Sequence, residues 1–367
     1  MGKRARQPSV AGQARASAGK VIRVGSDFSG IGTFNIALKN ILSKLPSGKY
    51  TQENVFCSDK DQACEALLKQ TCSPKVFYHD VTDRKAADVP ATDLYSFTAP
   101  CTSFSVAGKK EGIHDKRGTG TLATYALAYI SERKPKVVVA ENVASLASSR
   151  HSRFMEFLLD QLAGFGYTCK WKVLNTREFG LPQHRARWYM IAVRTDILRV
   201  RPSDVPWFPA AFPSSVPLAS LVARLPDDKW AMAPTTEPGH GNTMEAYRLC
   251  ALDGVNPFLV PVVVDIGASE RFRTHRVREC PCITRTRASQ LGYWCSTKGG
   301  RLAAEELGML QGFSPGTIDW KSAGVSEKKF AACLGNAQSL NVVEAVLPHA
   351  LFLAKIIDTD DFAALTK

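Results

Sequence analysis

The chain has 367 residues, 45% of them hydrophobic, enough for a real core in one large domain or two modest ones. Its 47 Lys and Arg against 34 Asp and Glu give a formal charge of +13, which points to a polyanionic partner, most simply nucleic acid. Its 10 cysteines form no paired framework, no signal peptide is visible, and no apolar run approaches the roughly 18 residues of a membrane span, so an intracellular protein with reduced thiols is expected.

Residues 1–20 carry Lys3, Arg4, Arg6, Arg15 and Lys20 among small polar residues and read as a disordered basic arm. Residues 21–25 form a short apolar strand. Ser26-Asp27-Phe28-Ser29-Gly30-Ile31-Gly32-Thr33 follows, and then a helix over 34–45. Strand, Gly-x-Gly turn and helix make the opening unit of a nucleotide-binding α/β sheet, where glycines admit a ligand to the backbone and the helix N-terminus offers free N–H groups. The next strands, 54–57 and 76–78, end at Asp59-Lys60 and at Asp80. Asp59 can bind ribose hydroxyls and Asp80 can accept from an adenine amino group; each is equally readable as a helix cap.

A strand over 92–97 runs into Phe97-Thr98-Ala99-Pro100-Cys101-Thr102-Ser103-Phe104-Ser105 and a basic, glycine-rich stretch holding Lys109, Lys110 and Arg117. A thiol at the carboxyl end of a strand lies on the ligand-binding edge of such a sheet, and positive charge nearby would make it a nucleophile. A buried structural cysteine is the competing reading. A helix over 122–130 precedes the strand 135–140, whose valine run implies burial on both faces and which ends in Glu141-Asn142-Val143. Burial would raise the Glu141 pKa and let it share a proton with a ligand. After a helix over 151–163 and a strand over 168–175 comes Gln183-His184-Arg185-Ala186-Arg187. If it is extended, Gln183, Arg185 and Arg187 share one face, suited to phosphates or base carbonyls.

From about residue 196 prolines crowd the chain and the βα rhythm stops, marking a smaller, irregular domain. Arg271, Arg273, Arg276, Arg278, Arg285 and Arg287 cluster there with Thr274, His275, Thr284, Ser289 and Tyr293. Phosphates and base edges would suit that surface. Arg285 and Arg287 alternate with Thr284 and Thr286, so an extended chain would put both on the nucleic-acid side. Cys280, Cys282 and Cys295 do not have a standard zinc spacing, and no metal is expected. Helices over 303–311 and 327–354, the latter broken at Leu334-Gly335-Asn336-Ala337, complete the chain.

Taken together, these residues resemble the cytosine-5 methyltransferases that use S-adenosylmethionine, over about residues 21–195 and 299–346. Asp27-Phe28-Ser29-Gly30-Ile31-Gly32 is similar to the cofactor loop, Pro100-Cys101 with Phe104-Ser105 to the nucleophile motif, and Glu141-Asn142-Val143 to the base-binding motif. Gln183-His184-Arg185-Ala186-Arg187, Leu310-Gln311-Gly312-Phe313 and Gly335-Asn336-Ala337 resemble the remaining motifs, in order. The acidic residue of the cofactor loop comes one place late, Ser26 preceding Asp27, and Thr102 and Lys60 also depart from the family pattern.

The resemblance implies an α/β, Rossmann-like doubly wound sheet with a smaller target-recognition domain. The expected division is 1–20 arm, 21–195 plus 327–367 catalytic domain and 196–326 recognition domain. It implies a DNA cytosine-5 methyltransferase in which Cys101 attacks carbon 6, Glu141 holds N3, Arg187 holds O2 and Arg185 orients the site and nearby phosphates. Phe28, Ser29, Gly30, Ile31, Gly32, Asp59, Lys60, Asp80, Pro100, Asn336 and Ala337 would line the S-adenosylmethionine pocket. Ser105, Lys109, Lys110, Arg117, Arg285 and Arg287 would face DNA. The expected partner is double-stranded DNA, bound by a monomer, in the nucleus of a eukaryote or the cytoplasm otherwise. A tRNA cytosine methyltransferase is the second choice, since its usual Pro-Pro-Cys and Cys-Phe-Thr signatures are missing. A catalytically dead DNA-binding homologue conflicts with Cys101, Glu141 and Arg187. An NAD-dependent oxidoreductase leaves Pro100-Cys101 and Glu141 unexplained.

Overall fold

Short runs rich in valine, isoleucine and aromatic residues become the central strands: β1 (Lys20–Asp27), β2 (Tyr50–Ser58), β3 (Val76–Tyr78), β4 (Leu94–Phe97) and β5 (Val137–Val143). With β6 (Tyr167–Asn175) and β7 (Ala186–Arg194) they form a seven-stranded sheet in the order β3-β2-β1-β4-β5-β7-β6. The first five are parallel; β7 runs antiparallel to both β5 and β6. The structure is a computed structural model describing residues 19–100, 121–199, 206–212, 216–223 and 233–367.

Helices cover both faces, as parallel strands with continuous apolar runs require. In β5, Val137 and Val139 enter the core beneath α1 (Thr33–Ser43) and α2 (Gln62–Thr71), whereas Val138 and Ala140 meet α3 (Ala123–Arg133) and α4 (Ser152–Gly164). The same alternation divides Tyr189 and Ile191 from Trp188 and Met190 in β7. The second strand is longer than its apolar residues imply. Asn54 carries it outward by accepting from Asn35 at 2.8 Å and donating to the Cys72 carbonyl at 2.5 Å, so polar residues do the work hydropathy would miss. Lys20, expected in the basic arm, starts β1, and its Nζ donates to the Ile356 carbonyl at 2.7 Å.

Beyond β7 come a short α5 (Leu218–Leu221), α6 (Gly239–Leu252), strands β8 (Val262–Asp265) and β9 (His275–Val277), α7 (Arg285–Ser289), and strands β10 (Tyr293–Cys295) and β11 (Gly300–Arg301). The four strands form a small antiparallel sheet, β11-β10-β8-β9. Then α8 (Ala304–Leu310), α9 (Glu327–Asn336) and α10 (Leu340–Leu353) bring the chain back, with α10 packed on α1, β5 and β7. The last helix, α11 (Thr359–Leu365), is tied to the start of β2 by Lys49 and Tyr50, both bonded to Asp361 at 2.6 Å. Apolar side chains Val263 and Tyr293 of the small sheet, and Ile283 ahead of α7, join the same core as α10, so the small sheet is welded to the large one.

Candidate active site

The carboxyl edge of the large sheet gathers the motifs. After β1, Phe28, Gly30 and Gly32 adopt left-handed backbone with φ of 56°, 58° and 79°. Phe28 does so as a bulky residue, a strained conformation that surroundings must hold. They do: its carbonyl accepts from Thr98 Oγ1 at 2.7 Å, and the Gly30 N–H donates to Asp59 at 2.8 Å. A Cβ at Gly30 would meet no atom within 4 Å, so the loop faces open space on that side. Burial raises the Asp59 pKa, against the pull of the Asp61 and Gly30 N–H groups, leaving a carboxyl suited to pairing with hydroxyls.

The late arrival of the loop's acidic residue has a structural consequence, because a one-residue shift in a strand turns a side chain to the other face. Asp27 points away from the loop and accepts from Tyr95 OH at 2.6 Å and from Arg84. Ser26 lies on the loop side, its Oγ 2.7 Å from Ser29 Oγ. Asp80 takes the capping role: it accepts from Thr82 N at 2.9 Å and pairs with Lys60 at 2.7 Å. Burial would raise its pKa, but those bonds outweigh it and hold the carboxyl at about 2. Asn336 ends α9 exposed, and Ala337 is buried behind it.

Glu141 lies inside β5 opposite Tyr189, so Arg187, two residues back along β7, is its diagonal neighbour on the same face. Arg187 Nε reaches Glu141 Oε1 at 3.3 Å. Burial pushes the Glu141 pKa up, and the guanidiniums of Arg187 and Arg185 only partly offset this. The adjacent Asn142, a motif residue given no role by the sequence, donates to the Ala99 carbonyl at 3.2 Å and fixes the root of the segment entering Pro100. Cys101, Ser105, Lys109, Lys110 and Arg117 lie outside the described residues.

Three expectations are corrected. Arg185 does not reach for phosphates: it is 2% exposed and donates to the carbonyls of Ile283 at 2.6 Å and Ala337 at 2.7 Å. It is a clasp joining the start of β7 to the segment before α7 and to the end of α9. Gln183 works beside it, donating to Leu310 O at 2.7 Å and Gln311 Oε1 at 3.0 Å, while Gln311 donates to Leu334 O at 2.8 Å. Three motifs far apart in sequence thus close one buried network. The second correction concerns Arg285 and Arg287, which lie in helix α7 rather than an extended segment, so residues two apart point in different directions. Arg287 pairs with Asp265 and Arg285 with Asp61 at 3.2 Å. Tyr293 is also no surface residue: it is buried, and its hydroxyl donates to Cys282 O at 2.9 Å. Arg271, Arg273, Arg276 and Arg278 remain exposed.

Asp61, Cys64 and Cys333 also converge, their candidate ligand atoms within 4.8 Å of one another. The Asp61 carboxylate is already held by Lys329 at 2.9 Å as well as Arg285, cations that a metal ion would have to displace.

The family model for C-5 cytosine-specific DNA methylase matches residues 22–350. The type II methyltransferase M.NgoBI of Neisseria gonorrhoeae is 29% identical over 332 residues, 87% of this chain and 89% of that protein. M.HhaI of Haemophilus parahaemolyticus is 31% identical over 170 residues, 46% of this chain and 48% of that one. Among solved structures, the Entamoeba histolytica methyltransferase EhMeth has a TM-score of 0.62 at 15% identity, covering 92% of this chain and all (100%) of that one. The S. pombe Dnmt2 methyltransferase has a TM-score of 0.59 at 18% identity, covering 92% and 100%. At those identities the structural likeness speaks to the fold, a Rossmann-like methyltransferase sheet. The chain belongs to the C-5 cytosine-specific DNA methylase family, enzymes that methylate carbon 5 of cytosine in DNA. Such methyltransferases generally take the methyl group from S-adenosylmethionine. Among the described residues no helix is long and apolar enough to cross a membrane.

Proposed function

We propose that the protein methylates cytosine in double-stranded DNA through a covalent adduct of Cys101 at carbon 6. The observation that carries this reading is the buried Glu141–Arg187 pair beside the strand end that leads into Pro100 and Cys101. Carbon 5 of cytosine is a poor nucleophile. Addition of the thiolate to carbon 6 makes it enamine-like. Glu141, with its raised pKa, shares a proton with N3 and draws electron density from the ring, and Arg187 holds O2. Carbon 5 takes the methyl group, water takes the carbon-5 proton, and elimination restores the Cys101 thiolate. A stacked base cannot reach these groups, so the cytosine flips out at a cost of about a few kcal/mol.

S-adenosylmethionine would supply an electrophilic methyl. The residues at the sheet edge fit it: an open approach at Gly30, half-buried Phe28 and Ser29, and an Asp59 carboxyl suited to ribose hydroxyls, with Pro100, Asn336 and Ala337 at the same edge. Ile31 and Gly32 are buried and shape the turn from behind. We assign 21–195 with 327–367 to the catalytic unit and 196–326 to target recognition, DNA lying between. The packing of α10 on α1, β5 and β7 supports that division. The exposed Arg271, Arg273, Arg276 and Arg278 suit phosphates and base edges better than Arg287, which Asp265 holds. The protein acts as a monomer in this reading, and a tRNA cytosine methyltransferase is the less favoured alternative to it.

Transfer of labelled methyl to duplex DNA and to tRNA tests the proposal. Labelled 5-methylcytosine in duplex DNA, lost in Cys101→Ser, is expected. Methylation of tRNA with none on any cytosine-containing duplex would overturn the DNA reading. Full turnover by Cys101→Ser would overturn the adduct.

A further inference from the structure

The segment between β9 and α7 brings a sulfur up to Arg185 and Arg187. Residues 280–284 run alongside 182–185: Cys280 N donates to Pro182 O at 2.7 Å, and His184 N to Cys280 O at 2.9 Å. Tyr293 OH, bonded to Cys282 O and to Thr284 N at 2.9 Å, braces the segment from the small sheet. So fixed, Cys282 Sγ sits 3.5 Å from Arg187 Nη2 and 3.7 Å from Arg185 Nη1, where both guanidiniums can donate to it.

We propose that Cys282 is a positioning residue for methyl transfer, its sulfur accepting from Nη2 of the Arg187 guanidinium while Glu141 accepts from Nε. This rests on the assignment of Arg187 to the cytosine O2. The charge balance favours it. Two arginines converge here, and among the described residues Glu141 is the carboxylate that reaches Arg187. Arg185 otherwise donates from its Nη atoms to carbonyls, which solvate its charge without cancelling it, and its buried Nε has no partner among the described residues. A sulfur that accepts from both guanidiniums completes the cluster. Burial would push the Cys282 thiol up, but Arg187 and Arg185 outweigh it and hold the thiol below its ordinary value. Cys280 and Tyr293, both raised by burial, stay neutral near it.

An arginine fixed at Nε by Glu141, at Nη1 by the Ala186 carbonyl at 2.7 Å and at Nη2 by the Cys282 sulfur meets the base in one orientation. Released at Nη2, it would still attract the base but aim poorly, and a misplacement of about 1 Å can cost about a hundredfold in rate. The test measures kcat and KM for a duplex substrate in Cys282→Ala, Cys282→Ser and Cys282→Asp, with thermal melts beside them. Expected in the alanine variant is a kcat roughly 10- to 100-fold lower, with the duplex KM within about twofold of the parent. The serine variant, neutral and close in size, should lie between alanine and parent. The aspartate variant, a fixed anion, should recover more of kcat than serine does. A serine variant that melts with the parent and turns over within about twofold of it would overturn the proposal, as would a loss confined to KM. If Arg187→Ala itself keeps full turnover, the base-pocket assignment fails instead; if that variant is inactive and Cys282→Ala is normal, only the role of Cys282 fails.

Discussion

Replacing Arg185 with alanine separates a structural from a catalytic arginine. Two of its hydrogen bonds, to Ile283 O at 2.6 Å and Ala337 O at 2.7 Å, are short, charged and buried. Bonds of that kind are worth about 1.5–3 kcal/mol each, so about 3–6 kcal/mol is at stake. Removing a buried cation returns some desolvation cost, while the two carbonyls are left unpaired, which places the net loss at about 3–5 kcal/mol. A domain is stable by about 5–15 kcal/mol, so the variant should sit near the edge of folding at 37 °C. Equilibrium urea denaturation, followed by far-ultraviolet circular dichroism, reads this directly. Lysine, which keeps the charge but not the planar fork, should lose less than alanine. An alanine variant within about 1 kcal/mol of the parent would refute the clasp.

Three further outcomes follow from the same geometry. Alanine at Gly335 would ordinarily stabilise a helix by about 1 kcal/mol, but its Cβ would lie 2.5 Å from backbone atoms of Thr284 and Arg285. Overpacking of about 1–3 kcal/mol should win, so thermal shift should report destabilisation; a stabilised Gly335→Ala would contradict the apposition of α7 and α9. Glu141→Gln should lower turnover by about 10²- to 10⁴-fold yet stabilise the fold at pH 7. Burial raises the folded-state pKa of this carboxyl, so its ionisation costs stability as pH rises through that value, and the advantage of glutamine should vanish below about pH 4, where both states are protonated. Unfolding at two pH values checks the sign. Duplex binding should weaken with salt at a log–log slope of about −5 if roughly six phosphates are neutralised, and losing Arg271 or Arg276 should flatten it; a slope near zero would refute a phosphate-dominated interface.

Much of the sheet was legible in the sequence because parallel strands announce themselves. The valine run before Glu141 reads as doubly buried and is, and the broken helix at Gly335-Asn336 becomes α9 and α10. Legibility failed where side chains make their contacts through folding. Nothing local says that Arg185 will meet carbonyls from residues 283 and 337, since both partners are brought by the return of the chain. Alternation of Arg with Thr at 284–287 mimics a strand, and packing against α9 makes it a helix. Ser26 and Asp27 were readable as a departure from the family pattern, but the burial of Asp27 against Tyr95 and Arg84 was not. Asn142 and Cys282 escaped for the same reason: their partners, Ala99 and Arg187, are distant in sequence.

The central claim is a covalent bond between Cys101 and carbon 6 of the target cytosine, and trapping it is the most direct test. A duplex carrying 5-fluorocytosine at the target cannot lose the carbon-5 substituent as a proton, so after methyl transfer the elimination that frees the thiolate is blocked. Incubated with S-adenosylmethionine and digested, the protein should yield the peptide containing Cys101 joined to the methylated fluorocytosine nucleotide, and Cys101→Ser should yield none. An adduct on another cysteine, or none from a preparation that methylates the unfluorinated duplex, would contradict the account.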